Sequence, residues 1–140
     1  MVALRDKPVF LQPGHNAGDL VEAHKWKVLR EERGIVEVDA HLPKHLLNPR
    51  DQLFGGFHGT YVDIMSIYAA RSMSNDADTF SWSTTINMRI DYFAPVEGDR
   101  FFLMSEVVRN GGSTLLVSTT FTDSEGCKLV YAITTIKKEK

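Results

Sequence analysis

Length, composition and charge already limit the class of protein. The chain has 140 residues, of which 43% are apolar and 24% are charged, as is ordinary for one globular domain. These values exclude disorder, collagen-like repeats and coiled coil as the dominant state. With 16 basic and 18 acidic side chains the net charge is −2, which argues against a nucleic-acid partner because phosphate neutralisation needs a basic surface. A single cysteine excludes an intrachain disulfide framework and a cysteine-rich zinc site.

The N-terminus gives no targeting or membrane signal. Charges at Arg5 and Lys7 leave no apolar stretch of signal-peptide length, and no segment approaches the ~20 apolar residues that span a bilayer. We therefore expect a cytoplasmic protein with no membrane partner. Residues 1–140 are expected to form one domain, in which residues 1–24 are an N-terminal arm and a short helix.

The first part of the chain predicts that short helix and then two strands. Asn16 is a candidate helix cap, with an acidic residue three positions later, and the helix is expected to run to about His24. The segments Lys25–Arg30 and Ile35–Leu42 are typical of strands on either side of a turn.

A long buried helix is predicted next. From Phe57 to Ala70 the apolar side chains recur at helical spacing and cover most of the circumference, which is typical of a buried helix. The preceding residues 43–56 are rich in Pro, Gly and Asn and predict a loop. The helix is expected to end near Met73, where Ser74-Asn75-Asp76 breaks it.

Four antiparallel strands are predicted after the helix. Ile86, Met88, Ile90 and Tyr92 alternate with polar residues, and the segments 100–109, 115–122 and 128–136 follow across tight turns. Short turns force neighbouring strands to be antiparallel. A single apolar helix needs a curved sheet around it to exclude water, so the fold class is α+β. Cys127, before the last strand, is expected to be a buried small apolar side chain.

Asp63 is the one formal charge in the apolar segment 57–70. Removing a lone carboxylate from water is costly unless it is paired, hydrogen-bonded or protonated. Two interpretations remain open at this point. The helix either turns Asp63 toward solvent at its edge, or Asp63 is a functional carboxylate at a buried interface.

Gly55 and Gly56 stand directly before this helix. Glycines allow close approach to the backbone, and a helix N-terminus offers unpaired N–H groups at the positive end of its dipole. Such groups stabilise a developing oxyanion. The alternative is that the glycine pair is a loop hinge.

The spacing joins these residues into one motif, N-x5-F-G-G-x6-D, between Asn48 and Asp63. It resembles the N-x5-H-G-G-x6-D run of acyl-CoA thioesterases of the phenylacetate-pathway and 4-hydroxybenzoyl-CoA type, members of the hotdog superfamily. The segment TTINMRIDYFAPVEGDRFF also resembles that family's third strand and the turn after it, and the order of elements is similar from Val36 onward. The resemblance implies a hotdog fold, a long central helix wrapped by a curved antiparallel sheet.

The resemblance also implies a role for each matching residue. Asp63 falls where the family keeps its catalytic carboxylate, which acts as nucleophile or as base for a water. Gly55 falls where a backbone N–H polarises the thioester carbonyl, and Asn48 where an Asn side chain orients the thioester or the water. Thr85 falls where related enzymes carry a Ser or Thr that positions the water, and the two hydroxyl residues before it are alternatives.

One residue departs from the family's pattern. The family's His before the glycine pair is Phe54 here. The candidates for substrate contact are therefore Phe54, Gly56 and His58. His58 lies one helical turn later and either supplies a nearby donor or is simply a polar residue in the first turn.

These features favour an acyl-CoA thioesterase that hydrolyses RCO–S–CoA to a carboxylic acid and free CoA, with no metal or redox cofactor. One rival is a non-catalytic acyl-CoA-binding hotdog protein, for which Phe54 is the argument. Another is a hotdog hydratase or dehydratase, which is disfavoured because no Asp/His pair stands at the helix start. We expect a homodimer or a dimer-of-dimers tetramer, since six strands around one helix leave sheet edges exposed in a monomer.

Overall fold

The chain folds into one antiparallel sheet and one long helix, which the computed structural model describes for residues 11–74 and 83–138. The elements in chain order are α1 (Asn16–Leu20), β1 (Lys27–Glu32), β2 (Ile35–His41), α2 (His58–Ser72), β3 (Ser83–Tyr92), β4 (Arg100–Asn110), β5 (Thr114–Thr122) and β6 (Lys128–Lys138). The strand order is β1-β2-β4-β5-β6-β3, and every neighbouring pair is antiparallel. This curved sheet around a helix confirms the predicted α+β class.

Helix α2 is buried against the concave face of the sheet. Tyr61, Val62, Met65 and Ala69 have no solvent exposure at all. Such all-round burial is what the apolar sequence of this helix predicted. The opposing side chains come from the four inner strands and are fully or almost fully buried: Val36, Val38, Phe101, Leu103, Leu115, Val117, Phe121 and Ile136.

Hydrogen bonds fix the C-terminal end of α2 to the β1–β2 hairpin. The Tyr68 hydroxyl donates to Oε1 of Glu31 at 2.6 Å, and the Gly34 N–H donates to the Ser72 hydroxyl at 2.8 Å. Gly34 has a φ of +84°, which suits glycine at this tight turn. The helix therefore cannot slide along the sheet without breaking these bonds.

The predicted helix and strands are confirmed, with shifts of a few residues at their ends. The two predicted strands at 25–30 and 35–42 are β1 and β2, and the predicted central helix is α2. The predicted loop 43–56 contains one short 3-10 turn, Lys44–Leu46, and runs into a second, Gly55–Phe57, directly before the helix. The first ten residues of the predicted arm and the predicted helix breaker at Asn75-Asp76 lie outside the described residues.

The prediction of the first helix cap was wrong by one residue. His15 is the N-cap, because its Nδ1 accepts from the Gly18 N–H at 3.4 Å, and Asn16 is the first helical residue. Asp19 accepts from the Gly14 N–H at 3.1 Å, so the start of α1 is held from both sides. The helix ends at Leu20, and a separate 3-10 turn, Ala23–Lys25, follows it.

The expectation that Cys127 is buried was also wrong. The β5–β6 turn is closed by Asp123, whose Oδ1 accepts from the backbone N–H groups of Glu125 and Cys127 at 2.9 and 3.0 Å. Cys127 therefore belongs to the turn rather than to β6, and its side chain is exposed.

Candidate active site

Asp63 and Thr85 are in direct contact. The Thr85 hydroxyl donates to Oδ1 of Asp63 at 2.6 Å, a short distance that is typical of a hydroxyl bonded to a carboxylate. Asp63 is exposed in the single chain, in the middle of an otherwise buried stretch of α2. This exposure fits both sequence interpretations, a solvent-facing edge and an interface with a second chain. The contact joins the helix to β3, so the carboxylate is held in one orientation at the protein surface.

A β-bulge at Ile86 brings Thr85 to the helix. Thr85 pairs with Ile136 on β6, but Asn87 pairs with Thr135, so Ile86 is an extra residue in β3. The strict alternation predicted for β3 was therefore wrong at its start. The predicted alternation placed Ile86 on the same face of the strand as Met88. The bulge turns Ile86 to the surface instead, where 56% of it is exposed. The same change of register puts Thr85 on the helix side of the sheet together with Met88.

An open groove of about 430 Å³ runs along α2 beside Asp63. Gly56 and Asp63 lie in it together, one at the start of the helix and one near its middle. Strand β3 passes close to the helix at Gly59, where a Cβ would be in ordinary van der Waals contact with Met88 at 3.8 Å and Ile90 at 3.9 Å. The residues that line the groove are Ala17, Gly56, Gly59, Thr60, Asp63, Ile64 and Met88.

Gly55 and Gly56 are exposed at the N-terminal end of the helix. Among the described residues, the N–H group of neither glycine has a hydrogen-bond acceptor, as expected for the first residues of a 3-10 turn. The space in front of Gly55 is open, since a Cβ built there would have no atom within 4 Å. Two backbone donors therefore stand free at the positive end of the helix dipole.

Phe54 lies over this glycine pair. A Cβ at Gly56 would come within 3.1 Å of the Phe54 ring, so a larger residue there would require the ring to shift slightly. Phe54 also packs edge-on against Phe57 with ring centroids 5.7 Å apart, yet 52% of its surface is exposed. The residue that replaces the family's His therefore presents an apolar face beside the free N–H groups.

His58 is buried beneath the glycine pair. Only 4% of its surface is exposed, and its ring is stacked on Phe121 at 5.7 Å and lies edge-on to Tyr92 at 4.7 Å. Its Nδ1 contacts the Gly55 carbonyl oxygen at 3.0 Å. Burial lowers the pKa of His58 below its ordinary value of 6.5, because a protonated imidazole loses its hydration there.

Asn48 lies apart from the groove in this chain. Its Oδ1 accepts from the backbone N–H groups of Arg50 and Gln52 at 2.8 and 3.1 Å and thereby shapes its own loop. The loop returns the chain to the helix, since the Phe54 N–H donates to the Leu46 carbonyl at 2.9 Å. Asn48 therefore supports the approach to Gly55, but it does not line the groove that contains Asp63.

Tyr92 is a site residue that the sequence did not single out. Its hydroxyl donates to the Gly55 carbonyl at 3.2 Å, although the two residues are 37 positions apart in the chain. The only indication in the sequence was the alternation of β3, which placed Tyr92 on the helix side of the sheet. The partner of its hydroxyl follows only from the three-dimensional fold.

The described part of the chain contains neither a metal-binding cluster nor a membrane-spanning helix. No three His, Cys, Asp or Glu side chains lie close enough together there to hold a metal ion. Within residues 11–74 and 83–138, no helix has both the length and the apolar character to cross a bilayer.

The sequence matches a model of the thioesterase superfamily over residues 52–129, which include the glycine pair, Asp63, Thr85 and strands β3 to β5. The match covers more than half of the chain. The protein therefore belongs to the thioesterase superfamily, and the resemblance drawn from the sequence is confirmed. A search of curated proteins gives no match.

Solved structures confirm the hotdog fold. Zebra fish thioesterase superfamily member 2 superposes with a TM-score of 0.80 at 21% identity, over 99% of each chain. A hypothetical thioesterase from Streptococcus pneumoniae, solved with coenzyme A, has a TM-score of 0.74 at 20% identity and covers 83% of this chain and 87% of its own. The PaaI protein of the E. coli phenylacetic acid degradation operon has a TM-score of 0.73 at 15% identity, over 88% and 90%.

The burial of His58 predicts a pH-dependent stability. Because its pKa is lower in the folded chain than in the unfolded chain, the unfolded chain takes up the proton first as the pH falls through about 6.5. Wild type should therefore lose stability relative to His58→Asn as the pH falls below 6.5, until the lowered folded-state pKa is passed. Urea unfolding at a series of pH values measures this, with the exposed His24→Asn as control. Parallel curves for wild type and His58→Asn would contradict the assignment.

Proposed function

We propose that this protein is an acyl-CoA thioesterase, which converts RCO–S–CoA and water to a carboxylic acid and free CoA. The observation that carries the proposal is the Asp63 carboxylate, held by Thr85 at 2.6 Å in the groove that begins at Gly56. A carboxylate and free backbone N–H groups are what thioester hydrolysis needs, one to attack or to activate water and the other to hold the carbonyl oxygen. Membership of the superfamily supports the reaction class.

The choice of coenzyme A as the thiol rests on related proteins. The Streptococcus pneumoniae thioesterase was solved with coenzyme A, and a protein of Streptococcus mutans was solved with acetyl CoA. Both share the fold of this chain. We infer the same class of substrate here. We propose no metal or redox cofactor, and we keep the sequence-based expectation of a cytoplasmic location.

The proposed reaction divides the work among the motif residues and Thr85. Asp63 attacks the thioester carbonyl carbon or removes a proton from the attacking water, and Thr85 orients Asp63 or that water. The Gly55 N–H holds the carbonyl oxygen, and the Asn48 amide helps to orient the thioester. Substrate contact near the carbonyl comes from Phe54 and Gly56. His58, which the sequence also made a candidate for this contact, is buried behind the glycine pair and reaches the Gly55 carbonyl instead.

Phe54 favours a second candidate function, a non-catalytic acyl-CoA-binding protein. The ring occupies the position of the family's His and offers no donor or acceptor. An apolar, half-exposed ring beside the glycine pair suits an acyl group whether or not hydrolysis follows. Thiol release from a panel of aliphatic and aromatic acyl-CoAs separates the two functions, because a binder captures acyl-CoA without releasing thiol.

Replacement of the carboxylate tests the proposed chemistry. Asp63→Asn should lower the rate of thiol release at least ~10²-fold, because the nucleophile or base is lost while the shape is kept. Acyl-CoA binding, measured by calorimetry, should remain. Asp91→Asn is the matched control, since Asp91 lies on the neighbouring strand β3 and is paired with Arg89 instead of Thr85. If Asp63→Asn turns over at the wild-type rate, Asp63 is not catalytic.

We further propose that the protein is a dimer in which each active site uses two chains. Strand β3 is an edge strand with an exposed Ile86, and exposed edges favour pairing with a second chain.

The distance between the two groups favours a site shared by two chains. Gly55 precedes Asp63 by eight residues, which corresponds to about 12 Å along a helix. A thioester carbonyl must lie about 3 Å from both groups during direct attack. An antiparallel partner helix across a two-fold axis brings Gly55 and Asn48 of one chain to Asp63 of the other. A dimer of dimers is compatible with the same pairing.

Mixed dimers test the shared site. Asn48→Ala and Asp63→Ala homodimers should both be inactive, but a mixed dimer contains one intact site. If the chains exchange at random, about half of the dimers are mixed, and roughly a quarter of wild-type activity should return. The two variants are co-expressed with different tags, and light scattering confirms the dimer. No recovery in isolated mixed dimers would show that each site is built within one chain.

A further inference from the structure

Within the part of the chain that the structure describes, the Gly55 carbonyl oxygen accepts three hydrogen bonds. It accepts from the backbone N–H of His58, from Nδ1 of His58 at 3.0 Å and from the Tyr92 hydroxyl at 3.2 Å. Two of these donors are side chains, and they come from different elements, α2 and β3. A carbonyl at the start of a helix needs only one partner, so the two side-chain donors call for a separate explanation.

The chemistry of the acceptor fixes the state of His58. A carbonyl oxygen can only accept, so the hydrogen of the imidazole lies on Nδ1. The ring is held in this orientation by Phe121 on one side and by Tyr92 on the other. Tyr92 thus makes two contacts here: its hydroxyl bonds to the Gly55 carbonyl, and its ring packs at an angle against the His58 ring.

Because the peptide bond is planar, fixing the Gly55 carbonyl also fixes the Gly56 N–H. The Gly55 carbonyl and the Gly56 N–H belong to one peptide unit and point in opposite directions. With the carbonyl held inward by His58 and Tyr92, the Gly56 N–H must point outward. Gly56 also lines the open groove along α2, so this peptide unit is accessible to a ligand. Hydrogen bonds to a carbonyl polarise its peptide unit, which makes the N–H a stronger donor.

We propose that His58 and Tyr92 are positioning residues, which hold the Gly55–Gly56 peptide so that the Gly56 N–H serves as a second donor to the thioester oxygen. This inference rests on the proposed function and adds to it a donor and the two side chains that aim that donor. His58 then acts through the backbone, from a buried position, rather than as an acid or base toward the substrate.

Removal of the Tyr92 hydroxyl is the first test. Tyr92→Phe keeps the ring beside His58 and deletes one bond to the Gly55 carbonyl, so kcat should fall about three- to ten-fold, as expected for one neutral hydrogen bond. KM should not change, because the bond strengthens as charge develops on the oxygen. Tyr131→Phe is the matched control, since Tyr131 lies on the half-buried outer face of β6. A wild-type kcat, or a change in KM alone, would overturn the inference.

A pair of His58 variants tests the second positioning residue. His58→Asn retains an N–H donor near the Nδ1 position, whereas His58→Leu fills the space without a donor. The Asn variant should keep several-fold more kcat than the Leu variant at equal KM. Equal kcat values in two folded variants would overturn the role of the donor. If His58→Leu does not fold, Tyr92→Phe alone decides the question.

A readout independent of turnover separates this inference from the proposed function. In NMR spectra, the Gly55 carbonyl carbon and the Gly56 amide nitrogen should both shift in Tyr92→Phe. Acetonyl-CoA, a ketone analogue that cannot be hydrolysed, should shift the Gly56 amide more in wild type than in Tyr92→Phe. An unaffected Gly56 amide in the presence of bound analogue would overturn the inference, even if Asp63 proves catalytic. If the Gly56 amide shifts as expected with acetonyl-CoA but Asp63→Asn is still active, the Gly56 donor is supported and the proposed role of Asp63 is refuted.

Discussion

The site depends on the burial of helix α2 in the concave face of the sheet. Because the sheet encloses most of the helix, only a few of its positions reach the surface, and Asp63 is one of them. The contacts of Tyr68 and Ser72 with the β1–β2 hairpin fix the helix along its axis. The first turn is thereby held in one place with its glycine N–H groups exposed. A rigid helix thus carries both the glycine pair and the carboxylate of the proposed sites, which a dimer would bring together from two chains.

Strand β3, at the edge of the sheet, contacts both ends of the candidate site. It contributes Thr85 to Asp63 at one end and Tyr92 to the Gly55 carbonyl at the other. Both contacts require the bulge at Ile86, because without it Thr85 and Tyr92 would lie on opposite faces of the strand. The bulge therefore has the positioning role that bulges often have beside active sites. The same strand is the free edge that we propose for dimer formation.

The parts of the structure that repeat along the sequence were predictable. The helical spacing from Phe57 to Ala70 defined α2, and the glycine turns defined the antiparallel order of β4, β5 and β6. The motif from Asn48 to Asp63 identified the helix start and the carboxylate because its spacing is a property of the chain alone. The bulge in β3 was not predictable, since it is defined by pairing with β6. The exposure of Cys127 depended on the turn formed by Asp123, and the bond from Tyr92 to Gly55 depended on the whole fold.

The central claim is that the exposed N–H groups at the start of α2 act on a thioester carbonyl, and a change at Gly55 tests it most directly. Gly55→Pro deletes the N–H, and proline fits here because it suits the first position of a helical turn and because Phe54 is already extended, with φ −61° and ψ 134°. Gly55→Ala keeps the N–H and adds a Cβ where there is open space. In thiol-release assays with an acyl-CoA, Gly55→Pro should lose about 10²–10³ in kcat, and Gly55→Ala should lose far less. Equal activity of the two variants would contradict the account.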